Sequence, residues 1–548
     1  MAKGYRPVDR DQPFLLPPDM REWLPADHPV WLVITVVADH LDTSAFHAGR
    51  RTGGPGAAGY DPDMLATVLV WAYAHGVVSS REMERLCRTD VAFWVICGGN
   101  HPDHVTFARF RGEFGGAVGE FFTEVLVLCA RLGMGRLGMV ALDGMKIAAS
   151  ASKSANRTEE GLARLAREAV AAHAEADAAE DELFGAGRRG DEVPEEAWQP
   201  RSRASRIAAV LAGLRAEREA AEAAEQARAE AYRARRAAGE RAGCPPASVA
   251  VAEAEAELAR VRAARVARLA ELEERYAAGQ PRRGYAARAD APGVDGCFKV
   301  RRAQAKVDAA RARAAGAERK AAERQAARKG PGPVRNITDP DSRLMPVRGG
   351  GFIQGYNAQN MTSQDGLIIA TELTDDPIDG AWFEPMLAKA QDAAALIGAH
   401  HLAPQSSGNG PGDGIGLALA DAGYCSEANL TCAGPDRLIA VGKGRDLEKA
   451  ARDPGSGGPS WGGPAIQAMR GRLKTPEGIA AYRHRGHIAE TPHGHIKHNM
   501  GIRQLSVRGK RKASAEWTFA AAVHNLFKAL TAGHLTSQTL AALASPAT

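Results

Sequence analysis

The stretch "VALDGMKIAAS", Val140 to Ser150, sets an Asp-Gly at the end of an apolar run and follows it with a lysine and small residues. The run reads as a buried strand, where an ionised carboxylate is costly unless it is paired or holds a cation. "IGLALADAGYC", Ile415 to Cys425, repeats the pattern, with Asp421 closing a second apolar run. A third acid, Glu490, falls in the helical tail. If the three lie about 4 Å apart, each like-charge pair costs roughly 4 kcal/mol at an effective dielectric of about 20. Such a cluster needs protons or cations to exist. Oxygen ligands without cysteine or histidine suit hard Mg²⁺ or Mn²⁺ rather than zinc. Two such ions, roughly 3.5 to 4 Å apart, serve phosphodiester displacement by activating the attacking oxygen and stabilising the leaving one.

Outward from these runs, the chain changes texture four times. Residues 1–135 are mixed helical: "PDMLATVLVWAYAHGV" has apolar residues at helical spacing, "SSREMERLCRTDVAFWVICGG" opens on a serine cap, and "HPDHVTFARFRGEF" starts a helix near Asp103. Three short helices in this order permit a helix-turn-helix, with Arg109 and Arg111 as candidates for groove contacts, and equally permit a plain bundle with surface arginines. Residues 136–157 are strand-like. Residues 158–333 differ in kind: "AAVLAGLRAEREAAEAAEQARAEAYRARRAAGERAG" and "SVAVAEAEAELARVRAARVARLAELEERYAAG" are almost entirely Ala, Glu and Arg, with Ile207, Leu211 and Leu214, then Leu269, Leu272 and Tyr276, at three- and four-residue spacings. That composition predicts long helices in an antiparallel coiled-coil-like arm, broken at "GCPPAS" and at "GQPRRGYAARADAPGVDG". From residue 334 to 532 strands return. "GGFIQGYNAQNMTSQDGLIIATELT" reads as two strands around a turn at Gln364-Asp365-Gly366, and "RLIAVGKG" as another after Asp421. With the arm set aside, the order is strand, strand, strand, helix, strand, helix, strand, helix, an α/β sheet interrupted by a helical insertion.

Composition bounds the rest. A chain of 548 residues with 45% hydrophobic and 25% charged residues has the make-up of a globular protein of two or three domains. No run is apolar long enough to span a bilayer, "VWLVITVVA" stopping after nine residues, and "MAKGYRPVDRDQ" lacks a signal-type apolar segment, so a cytoplasmic place is expected. Seven cysteines without a CxxC argue for reduced thiols. The net charge of +5 is mild, but "SVRGKRKASAEW" packs Arg508, Lys510, Arg511 and Lys512 into five positions. His484, His487, His493, His495 and His498 crowd one segment, match no standard zinc spacing, and read as solvated or phosphate-facing. The glycine-rich "RGGGFIQG", Arg348 to Gly355, lacks the dinucleotide fingerprint and leads into a strand, so it reads as a return from the arm. Asp379, in "TDDPIDGAWF", is a candidate fourth acidic group near the site, though a helix cap explains it more simply.

These blocks together resemble the DDE transposases of bacterial insertion sequences, in the group with a helical insertion after the first aspartate. "FLLPPDMREWLPADHPVW", "GVVSSREMERLCRTDVAFWVICGG" and "PDHVTFARFR" resemble that group's N-terminal domain. "LDGMKIAASASKSANRT" resembles the first catalytic block, "DPDSRLM" and "GYNAQ" the return from the insertion, and "ADAGYCSEANL" the second catalytic block. "YRHRGHIAETPHGHIKHNMGIRQLSVRGKRKASAEWTFAAAVHNLFK" resembles the last, with the Tyr, Arg, Glu and Lys signature on Tyr482, Arg485, Glu490 and Lys497. The family pattern leaves three residues between the arginine and the glutamate, whereas Gly486 to Ala489 make four. On a continuous helix the extra residue rotates Arg485 by about 100° relative to Glu490. Thr491-Pro492 as a cap and first helical position would instead leave Arg485 on a loop.

The resemblance implies an RNase H-like catalytic core split over 136–157 and 334–532, a helical DNA-binding domain at 1–135, the insertion arm at 158–333 and a tail at 533–548. It implies cleavage at the ends of the element by metal-activated water, then attack of the freed 3′ hydroxyl on target DNA. Asp143, Asp421 and Glu490 would hold two Mg²⁺ or Mn²⁺ ions. Lys497 and Arg485 would grip phosphate oxygens, Tyr482 would stack on or hydrogen-bond to the DNA end, and the basic run to Lys512 would supply sequence-independent phosphate contacts. The partner is double-stranded DNA on the bacterial nucleoid, with no membrane, and pairing two ends implies a homodimer or higher oligomer. A transposon-derived DNA-binding protein without catalysis, and an RNase H-like nuclease without strand transfer, are the alternatives.

Overall fold

The computed structural model describes residues 19–48, 59–113, 115–168, 203–239, 245–281, 293–327, 334–347, 350–401, 414–442 and 462–544. The first residues of the N-terminal motif, 14–18, and Arg348 lie outside them. The chain divides into two compact units, Met1–Asn156 with Thr338–Thr548, and Arg157–Ile337. Among the described residues no helix is long and apolar enough to cross a membrane.

The first unit opens with helices α1 (Pro29–Thr35), α2 (Ser44–His47), α3 (Pro62–Ala74), α4 (Ser80–Thr89), α5 (Val91–Ile96), α6 (His104–Gly112) and α7 (Ala117–Arg131). Their starts are written in side chains that occupy orphan N–H groups: Asp61 ahead of Pro62, Ser79, Asp90 and Asp103 each accept from the first turn of the helix they precede. Helix α3 is apolar almost all round and is accordingly buried almost all round.

A six-stranded mixed sheet follows, built on β1 (Met139–Ala148). One edge of β1 pairs antiparallel with β5 (Phe352–Ser363), with Asp143 opposite Asn360. The other edge pairs parallel with β7 (Leu417–Ala420), from Met139↔Leu417 to Leu142↔Ala420, and β7 pairs parallel with β8 (Asp436–Ile439). The far edge of β5 takes β4 (Arg343–Pro346) along its start and β6 (Ile368–Thr374) along its end. The turn between β5 and β6 falls where the sequence places it, with Gly366 at φ +90°. The strand order is therefore β6-β5-β1-β7-β8, with β4 beside β6.

Helices α11 (Phe383–His400), α12 (Glu427–Thr431), α13 (Pro464–Arg472), α14 (Pro476–Gly494), α15 (Lys510–Thr531) and α16 (Ser537–Ala544) complete the unit. The order of strands and helices follows the sequence reading except for β4, a strand that reading did not contain, and no break in packing falls at residue 135. Helix α15 runs against α7, α3 and β6 at once, and Tyr73, Phe121, Trp517 and Phe519 share one core. Asn525 on α15 behaves as a length of strand toward β6, donating to Ile368 O and accepting from Ile368 N, both at 2.8 Å.

One buried polar knot ties these helices together. The Glu516 carboxylate accepts from Tyr73 Oη at 3.0 Å and from Ser506 N at 2.8 Å, and Arg111 Nη1 stands 3.9 Å away. Arg111 also donates to Val78 O at 2.7 Å and to Ser506 Oγ at 3.1 Å. Burial, with Glu516 next, pushes the Tyr73 hydroxyl far above the usual phenol range, so it stays protonated and donates. The reading of Arg111 as a groove contact is corrected here: it is 5% exposed and its guanidinium is spent inside the protein, whereas Arg109 is exposed.

The second unit holds three long helices, α8 (Arg203–Ala237), α9 (Ala247–Ala277) and α10 (Phe298–Ala327), with a two-stranded ribbon of β2 (Asn156–Thr158) and β3 (Val334–Asn336). Leu162, Ile207, Val210 and Leu214 form its small core. Helix α9 is tied to α8 by Arg236 and Glu253 at 2.5 Å and to α10 by Arg311 and Glu255 at 2.5 Å. Leu269, Leu272 and Tyr276 are only half-buried, as expected where alanine supplies most of the packing surface.

Arg111→Ala would leave Glu516 as an uncompensated buried charge. The expected loss is about 3–5 kcal/mol of stability in chemical denaturation. Adding Glu516→Gln should recover part of it, since the two residues act as one pair.

Candidate active site

Asp143 sits in mid-β1, and Asp421 follows the last residue of the neighbouring parallel strand β7. Asp421 caps a 3-10 turn, Ala422–Tyr424, accepting from Gly423 N at 2.8 Å. Helix α14 lies over this end of the sheet. It is capped by Thr475 with Pro476 at its first position and runs unbroken to Gly494, with Pro492 inside its last turns. The reading of Thr491-Pro492 as a helix start is therefore corrected. The cap is Thr475, and a proline this close to the end forfeits only one hydrogen bond to the preceding turn.

An unbroken helix fixes what the extra residue does. Tyr482, Arg485, Ile488, Ala489, Pro492 and His493 form the buried face, and Glu490 turns away. Arg485, with its side chain 10% exposed, points between the aspartates. Its Nη2 is 2.9 Å from Asp143 Oδ1 and 3.9 Å from Asp421 Oδ2, while its Nη1 is 3.8 Å from Glu490 Oε1. The Glu490 side chain is 60% exposed. All three acidic side chains thus converge on one guanidinium, but they are not at mutual ligand separation. Among the described residues the one trio of ligand atoms within 4.8 Å of one another is His47, Asp61 and Asp63. That trio is a surface group in which Asp61 caps α3 and His47 pairs with Asp63.

Electrostatics separates the two aspartates. Burial raises the Asp143 pKa, but His493 and then Arg485 outweigh it and hold the carboxyl below its usual range. At Asp421 burial wins, with Asp143 and Asp379 adding to it against Arg485, and the pKa is raised. Arg485 itself is buried yet held fully charged by Asp143 and its neighbours.

Asp379 is the fourth acidic group that the sequence reading set behind a helix cap. It stands at the N-cap position of a 3-10 turn, Gly380–Trp382, yet makes no side-chain cap bond. Its Oδ1 instead accepts from Asn357 Nδ2 at 2.7 Å, Gln359 Nε2 at 2.9 Å and Lys146 Nζ at 3.1 Å. Gly144 makes room for it, since a Cβ there would lie 2.6 Å from Asp379 Oδ1. Tyr424, just past Asp421, donates to Gln359 Oε1 and ties this layer to the Asp421 turn. The only sequence signal was the glycine directly after Asp143.

Four carboxylates, Asp143, Asp421, Glu490 and Asp379, thus face two cations, Arg485 and Lys146. The excess negative charge fits a divalent cation. The guanidinium, encircled by three of the acids, marks where positive charge is wanted.

The remaining sequence candidates are dispersed. Tyr482 is buried and donates to Ala420 O at 3.2 Å, pinning α14 to the end of β7. Lys497 is half-buried in a π turn after α14, its pKa lowered by burial and then by Arg503. Arg508 donates to Ser150 O at 3.0 Å, and Lys510 pairs with Asp375 at 2.8 Å. Arg511 and Lys512 are exposed on the first turn of α15. Arg111, Arg508, Arg511 and Lys512 line a surface cavity of about 510 Å³ together with Glu113 and Asp341. From Asp143 to the end of β1 at Ala148 is roughly 17 Å of strand, so this basic rim stands apart from the acids.

Two family models match the chain. One, described as Transposase domain (DUF772), covers residues 18–113, the helices through α6. The other, described as Transposase DDE domain, covers residues 463–530, from α13 through most of α15, and so includes Arg485, Glu490, Lys497 and the basic run. Together they show a transposase. The two matches support a DDE transposase of insertion-sequence type. No match was found among the curated proteins or the solved structures.

The opposed shifts predict opposite effects of two isosteric changes in metal-free protein at pH 7. Asp143 is held below its unfolded pKa, so its contribution is present at neutral pH and lost as pH falls through the folded value. Asp143→Asn should lower the melting temperature. Asp421 is raised, so its charge costs stability at neutral pH and protonation relieves that cost as pH falls through the folded value. Asp421→Asn should raise the melting temperature. Thermal unfolding in a chelating buffer reads both.

Proposed function

We propose that the chain cuts DNA at the ends of its own element and joins the freed 3′ ends to target DNA, on an RNase H-like core. The order β6-β5-β1-β7-β8, with the first three strands antiparallel and the last three parallel, supports that core. The observation that carries the reading is the convergence of Asp143, Asp421 and Glu490 on a single cation position, now filled by Arg485.

Asp143, Asp421 and Glu490 would hold Mg²⁺ or Mn²⁺, two ions in the full site. Such ions activate the attacking oxygen and stabilise the leaving one. The chain's own residues do the rest. The parallel pairing of β1 with β7 sets the two aspartates side by side, and Tyr482 fixes α14 over them. Arg485 keeps its charge throughout and is a bidentate donor for a scissile phosphate once cations neutralise the carboxylates. Glu490, exposed on the outer side of the helix, closes on the site when DNA brings metal and phosphate to it. Lys497 and the rim of Arg508, Lys510, Arg511 and Lys512 grip flanking backbone phosphates. The helices before β1 form the DNA-binding part, with Arg109 on their surface. Two ends joined together need two such sites, hence a homodimer or larger assembly on DNA.

Cleavage of labelled element-end DNA with Mg²⁺ tests the reading. Asp143→Ala, Asp421→Ala and Glu490→Ala should each lose about a thousandfold or more in cutting rate while binding DNA normally. Cutting that survives any one change removes that residue from the site. A pre-cut 3′-end substrate separates a transposase, which joins it to target, from a nuclease, which does not. For the basic rim, Arg511→Ala with Lys512→Ala should flatten the dependence of log K on log salt by about 0.9 for each backbone phosphate no longer neutralised, at any DNA sequence.

A further inference from the structure

His493 is the strongest unabsorbed feature of the first unit. It lies two helical turns past Arg485 on the buried face of α14 and is 8% exposed. Its Nδ1 faces Asp143 Oδ2 at 3.7 Å, longer than a hydrogen bond, and its buried Nε2 has no partner. A core histidine kept for packing satisfies its ring nitrogens, and His524 shows how. Its Nδ1 meets His495 Nδ1 at 3.0 Å and its Nε2 meets Gly366 O at 3.0 Å. His493 does neither, beside an acid whose other oxygen is taken by Arg485. The reading of this histidine as solvated or phosphate-facing is overturned by its burial.

We propose that His493 is a nitrogen ligand to the divalent ion held by Asp143, so that the site takes Mn²⁺ in preference to Mg²⁺. This rests on the reading of Asp143 as a metal ligand. Three features support it. The carboxylate oxygen and the imidazole nitrogen face each other at 3.7 Å, within ion-pair reach. Glu490, one residue-step of about 100° off this face, is turned to solvent, and His493 stands where an inward-facing ligand from α14 is available. Imidazole favours first-row transition metals over Mg²⁺, which is held by oxygen, and Mn²⁺ is the member of that series that oxygen-rich sites also take. The donor set is then mixed: Asp143, Asp421 and His493 from the buried wall, with Glu490 joining from the open side.

The test uses the full chain with and without duplex DNA, and Mn²⁺ and Mg²⁺ as probes. Pulsed electron paramagnetic resonance of bound Mn²⁺ should show a nitrogen coupling that changes isotope pattern when the histidines carry ¹⁵N, a readout that needs no variant. His493→Gln should abolish that coupling and weaken Mn²⁺ by roughly 10-fold or more while leaving Mg²⁺ unchanged, and His493→Phe should do the same. Wild-type Mn²⁺ with no nitrogen coupling, or a coupling that persists in both variants, overturns the proposal while leaving the carboxylate site intact. Asp143→Asn separates the two levels: if it leaves Mn²⁺ affinity unchanged, the metal site at Asp143 itself is wrong, and His493 falls with it.

Discussion

Two half-buried carboxylates, one in mid-β1 and one just past the end of the neighbouring parallel strand β7, repel each other, and the Arg485 guanidinium between Asp143 and Asp421 is what lets them stand there together. Without a cation at that point the pair would have to take up a proton or come apart. Arg485 can serve because α14 is held down around it: Thr475 starts the helix, Tyr482 bonds to the end of β7, and Ile488 and Ala489 pack into the core beside Leu419 and Leu438. The geometry of the site is thus set by the register of one helix on one sheet. A register shift by a single residue would swing the arginine out by about 100° and expose the acids to each other.

Arg485 and Lys146 make the metal-free site less negative than its acids alone, and that has a chemical use. Both cations are long side chains on elements of the sheet and its covering helix. In the proposed function, divalent ions would neutralise the carboxylates and leave the same two positive charges facing an entering phosphodiester, an anion that accepts bidentate bonds from a guanidinium. Asp379 belongs to this balance. It pairs with Lys146, and Asn357 and Gln359 hold its carboxylate in place.

The sheet and its aspartates were legible in the sequence because they obey local rules. An apolar run closed by Asp, a turn at Gln364-Asp365-Gly366 and caps at Asp103 and Ser79 are patterns a few residues long. Asp379 obeyed a local rule too, the cap, and the rule gave the wrong partner. The lysine that claims it is 233 residues away, brought near by the pairing of β1 with β5. Arg111 failed for the same reason: its spacing on α6 suits a groove contact, but Glu516 and Ser506, nearly 400 residues later, bury it. Charged side chains are the hardest to read from sequence, since a salt bridge or hydrogen bond can be made by any part of the chain the fold delivers.

The helical tail shows the limit from the other side. Counting residues between Arg485 and Glu490 raised the right question, and sequence offered two answers, a continuous helix or a loop. The cap at Thr475-Pro476 decides it. A proline at the first position is well placed, whereas Pro492 near the last turn is a tolerated defect, so one helix forms and not two. With the helix continuous, Arg485, Ala489 and His493 must share a face, and Glu490 must leave it. The alanine at position 489 then matters as much as the charged residues around it: a larger side chain there would push α14 off β1 and part the arginine from the aspartates it holds.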